Sequence, residues 1–162
     1  MKHMKKIASL LLALVMVFAL ATTAFAQDVG TATTGTGTIT ISNAAKGETY
    51  SVYKLFDATV SSDGKIAYTG DIPESLTQYF KKADNGVNIV ATEVATEGES
   101  MSEGLKNALA AWAEGATSAS TAVSNGSTLN FNGLEYGYYV ITSTQGGTNT
   151  ISVDSTMPNV TI

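Results

Sequence analysis

The side chains of this sequence that could do chemistry are few and of restricted type. The 162 residues contain no Cys, and the single histidine, His3, lies among the first 26 residues. A Ser–His or Cys–His nucleophile pair needs a histidine, and a zinc site needs His or Cys ligands. The sequence therefore excludes both kinds of centre after residue 26, which leaves carboxylates and lysines as the groups that could act.

Paired carboxylates could serve as the acid and base of a glycosidase, which places two of them across one cleft. The densest group is Glu97, Glu99 and Glu103. Its surroundings indicate a solvated loop that runs into the start of a helix, where acidic residues are common. Asp84-Asn85-Gly86 is typical of a turn and lacks the ligand spacing of a calcium loop. We therefore expect no enzyme, no metal and no cofactor.

The first 26 residues have the pattern of a secretory signal. Three lysines in residues 1–6 precede an almost wholly apolar run over 7–21, and Ala24-Phe25-Ala26 supplies the small residues that a signal peptidase accepts. A membrane-spanning helix needs about 20 apolar residues, more than this run offers. We expect cleavage after Ala26, export, and no membrane contact by the mature chain.

The charge of the remaining chain restricts its partners. Removing 26 residues from 162 leaves 136, enough for one domain with its own core. These residues carry six Lys, no Arg and fourteen Asp or Glu, a formal charge of −8. Phosphate recognition requires clustered Lys and Arg, so binding to nucleic acid is excluded.

Short segments of β-branched and aromatic residues separated by polar turns predict a mainly β domain at 38–162, after a flexible leader at 27–37. The central strand is 135–144, where Gly137 would allow a bulge or the close approach of another backbone. In the strand 48–59, period two places Lys54 on an inward face with Val52 and Phe56. The other predicted strands are 38–42, 65–69, 128–131, 151–153 and 157–162, with a short strand and loop in 86–99.

Two helices and several turns complete the expected layout. Pro73 and the spacing of apolar residues predict a short helix over 71–82. Ser100 and Glu103 match a capping box and predict a helix over 100–114 with Trp112 on its apolar face. Asp-Gly at 63–64 predicts a hairpin turn, Asn132-Gly133 a turn, and 117–127 an exposed loop. Many strands with one or two inserted helices describe an immunoglobulin-like β-sandwich.

Several segments together carry a resemblance to a known family. They are TITISNAAKGETYSVYKLFDAT, IPESLTQYF, LNFNGLEYGYYVITST and SVDSTMPNVTI. In this order they resemble the N-terminal domain of sortase-assembled backbone pilins of Gram-positive bacteria. The resemblance covers essentially the whole chain after residue 26 and implies Cna B-type or related immunoglobulin-like domains in a cell-wall pilus. The implied partners are sortase and other pilin subunits, and many such domains carry an internal isopeptide bond between Lys and Asn.

Two positions depart from what that resemblance implies for the internal bond. Ser143 stands where the family's Y-x-L-x-E motif has its glutamate, and Asn43 follows the first strand where the lysine is expected. The usual bond is therefore not expected here. An atypical bond would join Lys54 to Asn159, with Asp57 or Glu135 as the acid, because the chemistry needs a neutral amine beside an amide and a protonated carboxyl.

The family's C-terminal LPxTG signal does not occur, and no lysine follows Lys106. We therefore expect this chain to be a fragment or a truncated product of a longer pilin. Two other functions remain open at this stage. One is an adhesin that grips a host protein or glycan, for which an exposed Tyr-rich face would be needed. The other is a hydrolase with two carboxylates in one cleft.

Overall fold

The computed structural model describes residues 35–60, 65–98 and 100–162. The expected signal peptide, residues 27–34 of the expected leader, the turn at 61–64 and Glu99 lie outside the described residues. The strands are β1 (Thr36–Ile41), β2 (Thr49–Val60), β3 (Ile66–Thr69), β4 (Phe80–Lys82), β5 (Ile89–Ala91), β6 (Thr96–Glu97), β7 (Ser100–Met101), β8 (Ser120–Val123), β9 (Leu129–Glu135), β10 (Gly137–Ser143), β11 (Thr148–Val153) and β12 (Asn159–Thr161). One α-helix, α1 (Glu103–Gly115), and two single-turn 3-10 helices, Glu74–Leu76 and Glu93–Ala95, interrupt them.

Two sheets pack face to face and form a β-sandwich. The smaller has the order β12-β1-β9, and the larger has the order β11-β10-β2-β3-β5-β4, with β8 also paired to β2. All pairings in the larger sheet are antiparallel, whereas β1 and β12 run parallel. The expected mainly β sandwich with short inserted helices is confirmed.

Strand β10 is the centre of this sandwich, as its composition predicts. It pairs with β2 on one side and with β11 on the other. Tyr138 and Val140 point into a core shared with α1, while Tyr139 and Ile141 point into the core between the sheets. Because both faces of β10 are covered, an unbroken apolar run is required, in contrast to the alternating pattern of a half-exposed strand.

A β-bulge changes the faces of β2. The register moves from Tyr138 opposite Phe56 to Tyr139 opposite Lys54, which leaves Leu55 as the extra residue. Lys54 keeps the face of Val52, toward the core between the sheets, but Phe56 packs in the core below α1. The expectation that Lys54 and Phe56 share a face is therefore wrong, because period two does not survive a bulge.

Strands β1 and β9 of the smaller sheet differ from the prediction in their bounds and in the position of a turn. β1 starts at Thr36, so the expected leader ends two residues too late. Asn132 and Gly133 do not turn the chain but lie inside β9, where Gly133 has a φ of +68° and the register against β1 shifts. A dipeptide that permits positive φ serves a bulge as well as a hairpin, so its composition alone does not separate the two.

Helix α1 starts later than the capping box predicts. Its N-cap is Ser102, whose hydroxyl accepts a hydrogen bond from the amide of Leu105 at 3.2 Å. Ser100 instead belongs to the short strand β7. Leu105 and Leu109 are fully buried against the larger sheet, whereas Trp112 is half-buried beside Tyr53. Truncation of Trp112 should therefore cost less than the roughly 3 to 5 kcal/mol of a fully buried aromatic.

Two further segments differ from their expected structure. The helix expected over 71–82 is reduced to one 3-10 turn at Glu74–Leu76, followed by β4. The expected loop at 117–127 contains β8, which pairs with β2 over Thr49 to Val52. In both cases tertiary pairing overrides weak local preference. The small residues of β8 form a strand because β2 offers a partner edge.

The buried tyrosines make the fold sensitive to alkali. Burial raises the pKa of Tyr68 and of Tyr139 to about 12 in each case, and burial also raises the pKa of Tyr138. In the unfolded chain a tyrosine ionises near pH 10. Unfolding therefore releases protons above that pH, and the stabilisation present below about pH 10 is lost as the pH rises toward about 12.

We expect the urea midpoint to fall across that interval, in parallel with tyrosinate absorbance. Tyr68→Phe should make the pH dependence of the midpoint shallower, because one of the three hydroxyls with a raised pKa is gone. A urea midpoint that stays constant over the same interval would show that these hydroxyls ionise without opposing the fold.

Candidate functional site

Lys54 lies in a small charged cluster at one end of the core between the sheets. Its Nζ is 2.7 Å from Asp57 Oδ1 and 2.8 Å from Glu135 Oε2. The lysine side chain is 24% exposed, while the two carboxylate side chains are 63% and 76% exposed. The structure thus brings together three of the four residues that the sequence selects, through strands β2 and β9.

Backbone features explain why these groups meet. Gly137 pairs with Asp57, and a Cβ built on Gly137 would lie 2.8 Å from Lys54 Cε and 2.7 Å from the carbonyl oxygen of Phe56. The lysine stem therefore crosses β10 in the space that the glycine leaves open. This confirms the prediction that Gly137 permits a close approach of another strand. Nearby, the hydroxyl of Tyr139 donates to the backbone oxygen of Glu135 at 2.6 Å.

The electrostatics of the cluster favour a charged amine. Burial acts to lower the pKa of Lys54, but the hydrogen bonds and charges of Asp57 and Glu135 outweigh burial, so the net pKa is raised. Isopeptide formation requires the opposite, a neutral amine that can attack a carbonyl carbon. The arrangement is that of an ion pair at a partly exposed rim, which contributes little to stability.

Asn159, the fourth selected residue, lies elsewhere. It is exposed on β12, the edge strand of the smaller sheet, opposite Thr38 of β1. Ser143, at the position of the family's glutamate, ends β10, and Asn43 lies in a turn with a φ of +55°. The structure therefore gathers the amine and both acids without placing the amide among them.

We expect no internal cross-link at Lys54. Intact-mass measurement of the purified chain should give the full sequence mass after any signal cleavage, because the amine is protonated and ion-paired. In Lys54→Met the mass should differ from that of the wild type only by the difference between the two side chains. The free energy of unfolding should change by no more than about 1 kcal/mol. A deficit of one ammonia or one water that disappears in Lys54→Met would contradict this.

A buried carboxylate that the sequence analysis missed is Asp154, which is 1% exposed. Its oxygens accept hydrogen bonds from the hydroxyls of Ser152 and Thr156 at 3.0 and 2.6 Å, and from the amides of Thr156 and Met157. These are the contacts of an Asx turn between β11 and β12. The sequence signal was Asp-Ser-Thr directly after a strand. Because local donors occupy its oxygens, Asp154 is a structural residue.

Three tyrosines that could stack on a sugar if they were exposed are buried in the core. Tyr138 and Tyr139 are each 1% exposed, and Tyr79 is 8% exposed. Tyr138 packs on Phe56 and Tyr68, and its hydroxyl donates to Thr150 at 2.8 Å. The Tyr-rich central strand is therefore core, and it offers no platform for a ligand.

The other candidate acids form no centre among the residues that are described. Glu103 pairs with Lys106 at 2.6 Å on the first turn of α1, and Glu97 is exposed on β6. Over residues 35–60, 65–98 and 100–162, no group of His, Cys, Asp and Glu is arranged to hold a metal ion. Within the same ranges no helix is long and apolar enough to cross a bilayer.

No protein-family model matches this sequence, and no curated protein matches it significantly. Among solved structures, that of BcpA, the major pilin subunit of Bacillus cereus, aligns with 79% of this chain at 12% sequence identity and a TM-score of 0.32. The aligned part is 29% of the BcpA chain, so this chain spans less than a third of that pilin. A likeness of this strength assigns neither a family nor a function.

Proposed function

We propose that this chain is a non-catalytic structural module of a cell-surface pilus of a Gram-positive bacterium, and part of a longer subunit. The two segments with the most specific resemblance to backbone pilins are YSVYKLFDAT and GLEYGYYVI. The first lies within β2, and the second runs from β9 into β10. They are neighbours in the larger sheet, where β2 pairs with β10. The resemblance thus falls on the paired centre of the fold.

The observation that carries the proposal is the burial of the tyrosines of β10. An adhesin that stacks on glycan needs exposed aromatic rings, and a hydrolase needs two carboxylates facing each other across a cleft. Tyr138 and Tyr139 are covered, and the carboxylates of Asp57 and Glu135 converge on one lysine. The tyrosines of β10 thus serve packing, as a shaft module requires.

The proposed partners are sortase and neighbouring pilin subunits, joined through parts of the longer subunit. The formal charge of −8 after residue 26 and the absence of Arg suit a surface that stays in solution outside the cell. The proposed location is the cell wall and the pilus that extends from it.

The experiment is to probe cell-wall extracts of the encoding bacterium with an antibody against residues 35–162. Covalent pilus assembly predicts a ladder of high-mass species that survives boiling in detergent. Deletion of the sortase genes should collapse the ladder to a single band. A single band in the wild-type wall extract, or in the culture medium alone, would contradict a shaft role.

A further inference from the structure

The sequence contains three Asn-Gly pairs, Asn85-Gly86, Asn125-Gly126 and Asn132-Gly133. Such a pair is the most reactive setting for asparagine, because glycine carries no side chain to shield its backbone nitrogen from the neighbouring amide carbon. The three pairs have different surroundings in the fold. We infer that Asn125 is a self-modification site, at which a cyclic imide closes with loss of ammonia, assisted by the Ser127 hydroxyl, and is then opened by water.

The reaction needs no reagent other than water. The backbone nitrogen of Gly126 forms a bond to Cγ of Asn125, and the bond from Cγ to Nδ2 breaks. The departing nitrogen leaves as ammonia and takes the proton of the Gly126 amide. Water then adds across one of the two imide carbon–nitrogen bonds. Opening at Cγ gives aspartate, and opening at the main-chain carbonyl carbon gives isoaspartate.

The surroundings of Asn125 favour this attack. Asn125, Gly126 and Ser127 are all exposed in the connection between β8 and β9, outside either strand. The hydroxyl of Ser127 donates to Asn125 Oδ1 at 2.7 Å. That oxygen gains negative charge when the nitrogen adds to Cγ, so Ser127 acts as a donor already in place for the developing oxyanion.

The backbone amide of Gly126, which would attack Asn125, is held by a hydrogen bond to one neutral side chain. The Gly126 amide donates to Ser124 Oγ at 3.0 Å, and this hydrogen bond must break before the nitrogen can add. Lys46 lies alongside, with its Cβ 3.0 Å from the position that a Cβ would take on Gly126.

The pair Asn85-Gly86 is held more firmly. Asn85 is half-buried, and its Oδ1 accepts hydrogen bonds from the backbone amides of Val87 and Asn88 at 3.0 and 2.9 Å. The Gly86 amide donates to the backbone oxygen of Ala83 at 2.8 Å. The side chain and the attacking nitrogen are both locked in a backbone turn, so the attack would break the turn itself.

The pair Asn132-Gly133 is held by the sheet. Both residues lie within β9, which pairs with β1 on either side of the bulge. Asn132 Oδ1 accepts a hydrogen bond from the hydroxyl of Thr38 at 3.1 Å. The restraint is the strand pairing, because closing an imide between Asn132 and Gly133 would distort β9 and its pairing with β1.

Conversion at Asn125 would also change how two loops meet. Ser124 Oγ donates to the backbone oxygen of Ala44 at 3.0 Å, and the Ala44 amide donates to the backbone oxygen of Ser127 at 3.1 Å. Isoaspartate at 125 would lengthen the main chain between these two anchors by one carbon. The modification therefore falls where it can loosen the contact between the loop after β1 and the loop after β8.

The test is to incubate the purified folded chain at mildly alkaline pH and to follow each Asn-Gly pair by peptide mapping that separates aspartate from isoaspartate. We expect Asn125 to convert at least about tenfold faster than Asn85 and Asn132, and Ser127→Ala to slow that conversion by about tenfold through loss of the oxyanion donor. Ser127→Thr, which keeps a hydroxyl, and Thr128→Ala, at an exposed neighbour, should retain the rate.

In urea the three pairs should convert at similar rates, because the folded restraints are gone. Two results would overturn the inference. One is conversion of Asn85 or Asn132 as fast as Asn125 in the folded chain, and the other is a wild-type rate in Ser127→Ala. Circular dichroism of each variant verifies that the rates refer to the folded state.

Discussion

Gly37→Ala should lower the free energy of unfolding by about 3 kcal/mol or more, the upper range for overpacking. A Cβ on Gly37 would overlap the backbone oxygen of Pro158 and lie 2.5 Å from Val153 Cγ1. The Pro158 oxygen accepts a hydrogen bond from the amide of Thr38 at 2.8 Å, at the start of the parallel pairing of β1 with β12. Because the obstacle is backbone, the substitution can be accommodated only if β12 moves away.

The measurement is urea unfolding of Gly37→Ala beside Gly115→Ala. Gly115 ends α1, and a Cβ there would meet open space, so its substitution should leave the midpoint unchanged or slightly higher. Equal midpoints for the two variants would mean that β12 is not packed against β1 as described.

Tyr138→Ala should cost about 3 to 5 kcal/mol, the range for a buried aromatic. The ring is 1% exposed, stacks on Phe56 at 6.2 Å between centroids and meets Tyr68 edge-on at 5.2 Å. Removal of the ring would leave a cavity below α1 that the paired strands β2 and β11 prevent from collapsing. Thermal or urea unfolding measures the loss directly.

Tyr138→Phe is the matched control. It keeps the ring and removes the hydroxyl that donates to Thr150, so it should cost only about 1 kcal/mol. If the alanine variant were no less stable than the phenylalanine variant, the ring would not be part of the core. Circular dichroism in the near ultraviolet would report the same loss of aromatic packing.

The sequence by itself determined the mainly β class and the central strand. The run from Tyr138 to Ile141 is apolar at every position, and only a strand covered on both faces needs that pattern. Alternation in β2 correctly placed Lys54 on the face of Val52, and three of the four residues chosen for an atypical isopeptide bond, Lys54, Asp57 and Glu135, lie together. The face of Lys54 follows from local pattern, and Asp57 lies three residues further along the same strand. Glu135 reaches this pair from the smaller sheet.

The tertiary structure decided what local pattern leaves open. β8 is a strand because it pairs with the edge that β2 offers. The bulge at Leu55 places Phe56 in the core below α1, whereas Lys54 faces the core between the sheets. Ser102 caps α1 in place of Ser100 because Ser100 pairs in β7. Asn159 and Lys54 are on different sheets, and two carboxylates keep the lysine charged. Each outcome depends on which segment, distant in the sequence, lies beside the residue in the fold. The order of residue types along the chain does not specify that neighbour.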